Sequence, residues 1–201
     1  CSLRDSGEAG TEVSVIRAGL FKEYGSLEPG NINIYYKPLP GYEFQTDKYI
    51  LKGSGTEEWT PSFTYHGFRY AEVKTSVPMK LDKESLHALY FYTDQESAGT
   101  FECSNKLLDT LWNMTRRTYC NNFMSIPTDC PQREKNGWTA DAYLSQEIGL
   151  LNYDSILAYE KWLDDFIDNQ KESGQISGII PTSDWGYDDW IGPVWDAAMF
   201  I

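Results

Sequence analysis

The feature that most constrains this chain is a change of hydrophobic period near residue 100. Before it, β-branched and aromatic residues collect in short runs at residues 12–21 (EVSVIRAGLF), 31–37 (NINIYYK), 66–77 (HGFRYAEVKTSV) and 85–93 (SLHALYFYT). Gly/Pro punctuation (EPGN, PLPG, KGSG) separates them, which is the pattern of short strands in an antiparallel sheet or sandwich. After it, apolar residues recur at steps of three and four, the period of an amphipathic helix. A chain with this order is expected to place a β part over residues 1–98 and a helical part over 99–201.

Four helices are expected. The first starts at Ser104, taken as its cap, and carries Leu107, Leu108, Leu111, Trp112, Thr115 and Tyr119 on one stripe. The second covers residues 139–151 with Ala140, Leu144, Ile148 and Leu151 on one face. The third covers 155–170 with Ile156, Tyr159, Leu163, Phe166 and Ile167 on one face. Its acids Asp164, Asp165 and Asp168 read as a solvated surface rather than calcium ligands. The fourth begins at Pro193 and runs into the apolar Phe200-Ile201. Helices joined by long loops and ending on apolar residues suggest the opening of a larger helical array. The chain therefore reads as a segment of a longer protein.

Charge and composition narrow the function. The 17 Lys and Arg against 30 Asp and Glu leave a formal charge of −13, which argues against nucleic acid or an anionic membrane surface as partner. No run of 18 or more apolar residues occurs, so no membrane-spanning helix is expected. The 7 Trp, 14 Tyr and 9 Phe supply flat amphipathic surfaces of the kind that stack on sugars. His66 and His87 are too few for a His-based metal site or a Ser-His-Asp set, and Cys1, Cys103, Cys120 and Cys130 follow no zinc spacing. Reduced, structural cysteines and no metal are expected, and His66 reads as a structural histidine.

The unusual stretch lies between the first two helices, NNFMSIPTDCPQREKNGWTADA. It is longer and more mixed than a helix connection requires, and such loops carry function. Asp129, Glu134 and Asp141 near Arg133 and Trp138 resemble the needs of glycoside hydrolysis. One carboxyl must stay protonated to donate to the leaving oxygen, others accept from sugar hydroxyls, and an indole stacks on the sugar face. Composition alone favours an acidic surface loop with an Arg133–Asp129 ion pair. Trp59, Phe63 and Tyr65 read as packing residues between the two parts rather than a sugar platform. Trp185 and Trp190 read more as packing or acidic surface than as cleft lining.

The wording of the loop resembles one family. TDCPQREKNGWTADA is similar to the loop of bacterial α-L-rhamnosidases of glycoside hydrolase family 78, D-C-P-Q-R-(D)-E-[RK]-x-G-W-x-G-D-A. EEWTPSFTYHGFRYAEV resembles the end of that family's β-sandwich domain, and FECSNKLLDTLWNMTRRTYCNNFMSIPTDCP its entry into an (α/α)6 barrel. Two departures stand out: the residue often inserted between Arg and Glu is absent, and Ala140 replaces a common Gly. The resemblance implies the end of an antiparallel β-sandwich followed by the first helices of a truncated (α/α)6 barrel. It also implies an inverting hydrolase that removes terminal α-L-rhamnose from glycosides or glycans without a cofactor. Glu134, four residues before Trp138, aligns with the general acid. Asp129 and Arg133 align with residues holding rhamnose hydroxyls, and Trp138 with a wall beside the C6 methyl group. Asp141 and Trp195 match positions near the sugar. The family's base is a glutamate further along than this chain extends, so the chain alone is expected to be inactive. Rival readings are another (α/α)6 glycosidase or phosphorylase, or a non-catalytic carbohydrate-binding module. A sugar hydrolase of this composition fits a periplasmic or extracellular setting.

Overall fold

The computed structural model describes residues 1–29, 43–182, 186–187 and 191–200. The run expected at 31–37 lies outside them, as do Trp185 and Trp190. The chain divides into two units, Cys1–Tyr90 with Gln132–Glu134, and Phe91–Pro131 with Lys135–Ile201.

The first unit holds β1 (Ser2–Ser6), β2 (Glu12–Ala18), β3 (Thr46–Ile50), β4 (Thr56–Trp59), β5 (Tyr70–Thr75) and β6 (Leu86–His87). They form two three-stranded antiparallel sheets, ordered β4-β1-β6 and β3-β2-β5. Leu3 and Trp59 of one sheet meet Val13, Tyr49 and Val73 of the other around Leu51, so the sheets share one core as a sandwich. β2 shows why: Val13 and Val15 are fully buried, while Glu12, Ser14 and Ile16 on the other face remain partly exposed. Three strands, β1, β3 and β4, escaped the sequence reading because SLRDS, TDKYI and TEEW are too polar to signal one.

Polar side chains of this unit also point inward and find partners there. Arg17, on the inward face of β2, is buried and pairs with Asp47 at 2.7 Å. The His66 ring bridges Gln45 Oε1 at 2.8 Å and Asp47 Oδ2 at 3.0 Å, consistent with its reading as a structural histidine. Burial raises the Asp47 carboxyl, yet the hydrogen bond and charge of His66, with Arg17, hold it below the ordinary range. Glu57 of β4 accepts the backbone N–H of Lys52 and Gly53 and the hydroxyl of Tyr49. Trp59 stacks on Tyr49 inside this unit, ring centroids 5.1 Å apart, and Phe63 stands fully exposed at φ 58°. The run at 85–93 contributes only two paired residues, and Leu89 to Tyr92 are exposed.

The second unit holds α1 (Lys106–Asn121), the hairpin β7 (Phe123–Met124) and β8 (Ile126–Pro127), α2 (Thr139–Asn152), α3 (Ile156–Asn169) and α4 (Pro193–Asp196), which continues as a 3-10 turn over Ala197–Phe200. The cap of α1 is Asn105 rather than Ser104: its side chain accepts from the Leu107 N–H at 3.0 Å. Within this chain only part of each helix is covered. Only Tyr119 and Cys120 of α1 are buried, and Leu107, Leu108 and Leu111 are exposed. In α2 the buried face is Thr139, Ala142, Gln146 and Gly149, with Leu144 and Leu151 each 77% exposed. In α3 it is Tyr159, Trp162 and Phe166, leaving Ile156 and Ile167 exposed.

The reason is close approach. A Cβ on Gly149 would lie 2.3 Å from the Tyr119 hydroxyl, so α2 turns its small-residue face onto α1 and its leucines away. The core this creates is aromatic: Tyr119 stacks on Tyr153, Phe123 meets Tyr159 edge-on, and Trp162 meets Phe166 edge-on. Arg116 lies over both Trp112 and Tyr153 and donates to the carbonyls of Gly99 and Asn152. None of the four cysteines forms a disulfide. Among the described residues no helix is long and apolar enough to cross a membrane.

Candidate active site

The loop between α1 and α2 is built from hydrogen bonds that close it on itself. Asn122 ends α1, and its carbonyl accepts from both the N–H and the hydroxyl of Thr128, so the β7–β8 hairpin returns beside the helix end. Ser125 makes the tight turn at φ 69°, its N–H donating to Thr93 Oγ1. Beyond the hairpin, the Asp129 N–H donates to the Asn136 carbonyl at 3.0 Å, and the Asn136 N–H returns a bond to Asp129 Oδ1 at 2.9 Å. The Cys130 thiol donates to Asp129 Oδ2. Asp129 thus uses both carboxylate oxygens inside the loop, which sets its orientation. Lys135 turns the chain at φ 55°, a conformation that costs a non-glycine residue energy and recurs at functional sites.

The far end of the loop is fastened to residues 177–180. Gly137 accepts from the Ile180 N–H at 2.8 Å, Trp138 bridges to Ile179, and the Thr139 N–H donates to Gly178 at 2.9 Å as α2 begins. Trp162 donates from Nε1 to the Ile180 carbonyl and so ties this segment to the aromatic core. Trp195 of α4 sits against Gly178, where an added Cβ would lie 3.1 Å from its Cδ1.

A cavity of about 370 Å³ lies in the second unit. Leu111, Met114 and Thr118 of α1 form one wall and Pro127 and Thr128 of the hairpin another. Asp129 and, from the first turn of α2, Asp141 contribute its carboxylates. Its volume falls at the small end of ligand pockets, and apolar walls with a few convergent polar groups suit a small ligand that is polar on one side. The structure therefore brings Asp129 and Asp141 to one cavity, and sets Trp138 and Trp195 on the 177–180 segment of the same unit. Arg133 and Glu134, both half-buried, group with the first unit. The sequence reading missed the cavity's α1 wall and the 177–180 fastening. A β-branched pair between Gly178 and Pro181 was the only signal of the latter.

Comparison with known proteins now bears on this geometry. Residues 1–92 match the bacterial alpha-L-rhamnosidase concanavalin-like domain, and residues 96–201 match the bacterial alpha-L-rhamnosidase 6 hairpin glycosidase domain. An alpha-L-rhamnosidase of Formosa agariphila is 44% identical over 121 residues, 60% of this chain and 13% of that protein. One of Streptomyces avermitilis is 33% identical over 180 residues, 89% of this chain and 17% of that protein. Among solved structures, an alpha-L-rhamnosidase from Dictyoglumus thermophilum superposes with TM-score 0.84 at 38% identity, over 98% of this chain and 21% of that one. The Streptomyces avermitilis enzyme complexed with L-rhamnose superposes with TM-score 0.80 at 30% identity, over 98% and 18%. A sandwich joined to a helical-hairpin unit is a glycosidase architecture. The chain belongs to the bacterial α-L-rhamnosidase family, glycoside hydrolase family 78. It spans less than a fifth of the length of the curated relatives it matches.

Proposed function

We propose that the polypeptide carrying this chain is an exo-acting α-L-rhamnosidase that hydrolyses terminal α-L-rhamnosides with inversion. The observation that carries the reading is the pairing of Asp129 and Asp141 on one small cavity, within a loop worded as the family's site loop. Asp129 accepts from rhamnose hydroxyls with its remaining lone pairs, and Asp141 approaches from the N-terminal turn of α2. Arg133 adds charge-assisted donors to the same hydroxyls. Trp138 and Trp195 supply apolar walls, suited to a deoxy sugar whose C6 methyl offers no hydrogen bond.

Glu134 is the proposed general acid. Its proton passes to the glycosidic oxygen as the C1–O bond breaks, and a water attacks C1 from the opposite face after giving its proton to a second carboxylate. That base lies beyond these residues, about 6.5–9.5 Å from the acid so that the water fits between them. The exposed leucines of α1 and α2 belong, on this reading, under further helices of the barrel.

The test is hydrolysis of an aryl α-L-rhamnoside by the intact polypeptide beside its Glu134→Gln variant. Turnover that falls by orders of magnitude in the variant, with rhamnose still bound, supports the assignment. Equal turnover by both moves the acid elsewhere. Rhamnose binding without turnover by either would favour a carbohydrate-binding protein on an enzyme scaffold.

A further inference from the structure

We infer that Cys130 is a positioning residue for sugar recognition: its thiol holds the Asp129 carboxylate in the orientation that receives the rhamnose hydroxyls. The inference rests on the proposed rhamnosidase reading and adds a residue to it. Three observations carry it. Cys130 is buried, so its polar hydrogen has few alternatives to a protein acceptor. Its thiol donates to Asp129 Oδ2, while the other oxygen of the same carboxylate takes the Asn136 N–H at 2.9 Å. Asp129 in turn lines the cavity.

A carboxylate gripped by one donor can still rotate about χ2, because a single hydrogen bond leaves a hinge. Two donors on two oxygens remove that freedom, so the plane of the carboxylate is set before the sugar arrives. The ordering entropy is then already met on binding, which is the physical content of preorganisation. The Asn136 N–H is backbone and recurs whatever side chain stands there, so the side-chain half of the grip belongs to Cys130. A thiol is also a weak donor. It fixes direction without competing strongly for lone pairs that the sugar hydroxyls need.

The experiment compares wild type, Cys130→Ala and Cys130→Ser in the intact polypeptide, with an aryl α-L-rhamnoside as substrate and free L-rhamnose as competitor. Cys130→Ala removes the donor and is expected to raise KM and the rhamnose inhibition constant together by about 3- to 10-fold, with kcat held within about 2-fold. Cys130→Ser restores a donor of similar size and is expected to return both constants to within about 2-fold of wild type. Infrared spectroscopy reads the bond without substrate: an S–H band displaced to low frequency should vanish in Cys130→Ala and shift back in Asp129→Asn.

Unchanged KM in Cys130→Ala overturns the proposal. So does an equal loss in the Ala and Ser variants, which would mark the thiol as a matter of volume rather than donation. An S–H band indifferent to Asp129→Asn overturns it as well. Wild-type protein that neither turns over the rhamnoside nor binds rhamnose sinks the rhamnosidase reading itself, and the displaced S–H band then reports whether the thiol–carboxylate bond exists apart from that reading.

Discussion

Gly137→Ala is the substitution whose consequence can be worked most directly from the structure. Gly137 carries no positive φ, so its role is spatial rather than conformational. A Cβ built there would lie 1.9 Å from the Ile180 carbonyl oxygen and 2.8 Å from its carbon, both backbone atoms that no rotamer change can move. Bringing that contact to 3.0 Å requires the two segments to part by about 1.1 Å. Such a displacement stretches the 2.8 Å Ile180 N–H bond to Gly137 beyond hydrogen-bonding range. It also pulls the Ile180 carbonyl from the Trp162 indole, which donates to it at 3.0 Å in the core. Two buried bonds left unmade cost about 1–3 kcal/mol each, and overpacking adds a similar amount. The expected destabilisation is about 3–9 kcal/mol, a drop of more than about 10 °C in the unfolding midpoint of a unit this size. Calorimetry and tryptophan near-UV circular dichroism on the intact polypeptide would read it. Gly19→Ala is the control, since a Cβ there meets nothing within 4 Å, and it should unfold like wild type. A Gly137→Ala protein that unfolds within 2 °C or so of wild type would refute the reasoning, since the close approach would then be absent in solution.

Two further outcomes are expected. Glu57 is held below the ordinary carboxylate range, chiefly by the Lys52 N–H, against an opposing effect of burial and with help from Tyr49, Gly53 and Ser54. A depressed folded-state pKa contributes stability that is present above the unfolded value, near 4.3, and is lost as pH falls through the folded value. Glu57→Gln should therefore lower the unfolding midpoint at pH 7 and flatten its acid limb below about pH 4.3, and an unaltered limb counts against the grip on Glu57. Arg116→Lys keeps a charge but loses the planar stacking on Trp112 and Tyr153 and the bonds that one guanidinium nitrogen makes to the Gly99 and Asn152 carbonyls. It should cost about 1–2 kcal/mol by chemical denaturation and speed exchange of the Ala98 N–H, which donates to the Asn152 carbonyl.

The sandwich was legible where β-branched residues alternate, as in β2, and illegible where strands are polar. TEEW does not read as a strand until Glu57 is seen collecting the Lys52 and Gly53 amides. Arg17 shows the same limit: a buried arginine in a core strand makes sense only with Asp47 and His66 beside it. The site loop was legible by its wording and by its excess length over what two helices need. The closure of Asp129 onto Asn136, seven residues away, was not, because it depends on backbone groups that carry no sequence signature.

The helices draw the line most clearly. The chain's own sequence determined where α1, α2 and α3 lie, because the 3.6-residue period and the turn residues between them are local properties. Tertiary structure alone decided which face of each is covered. In α2, Leu144 and Leu151 are more apolar than Ala142 and Gly149, yet the small residues are buried. The distance between two helix axes depends on the side chains of both partners, and Tyr119 needs the space that only Gly149 leaves. The same physics operates at Gly137, where the loop can meet residues 177–180 because a hydrogen stands in place of a side chain. That approach carries Trp138 to its place and starts α2, from whose first turn Asp141 reaches the cavity it shares with Asp129.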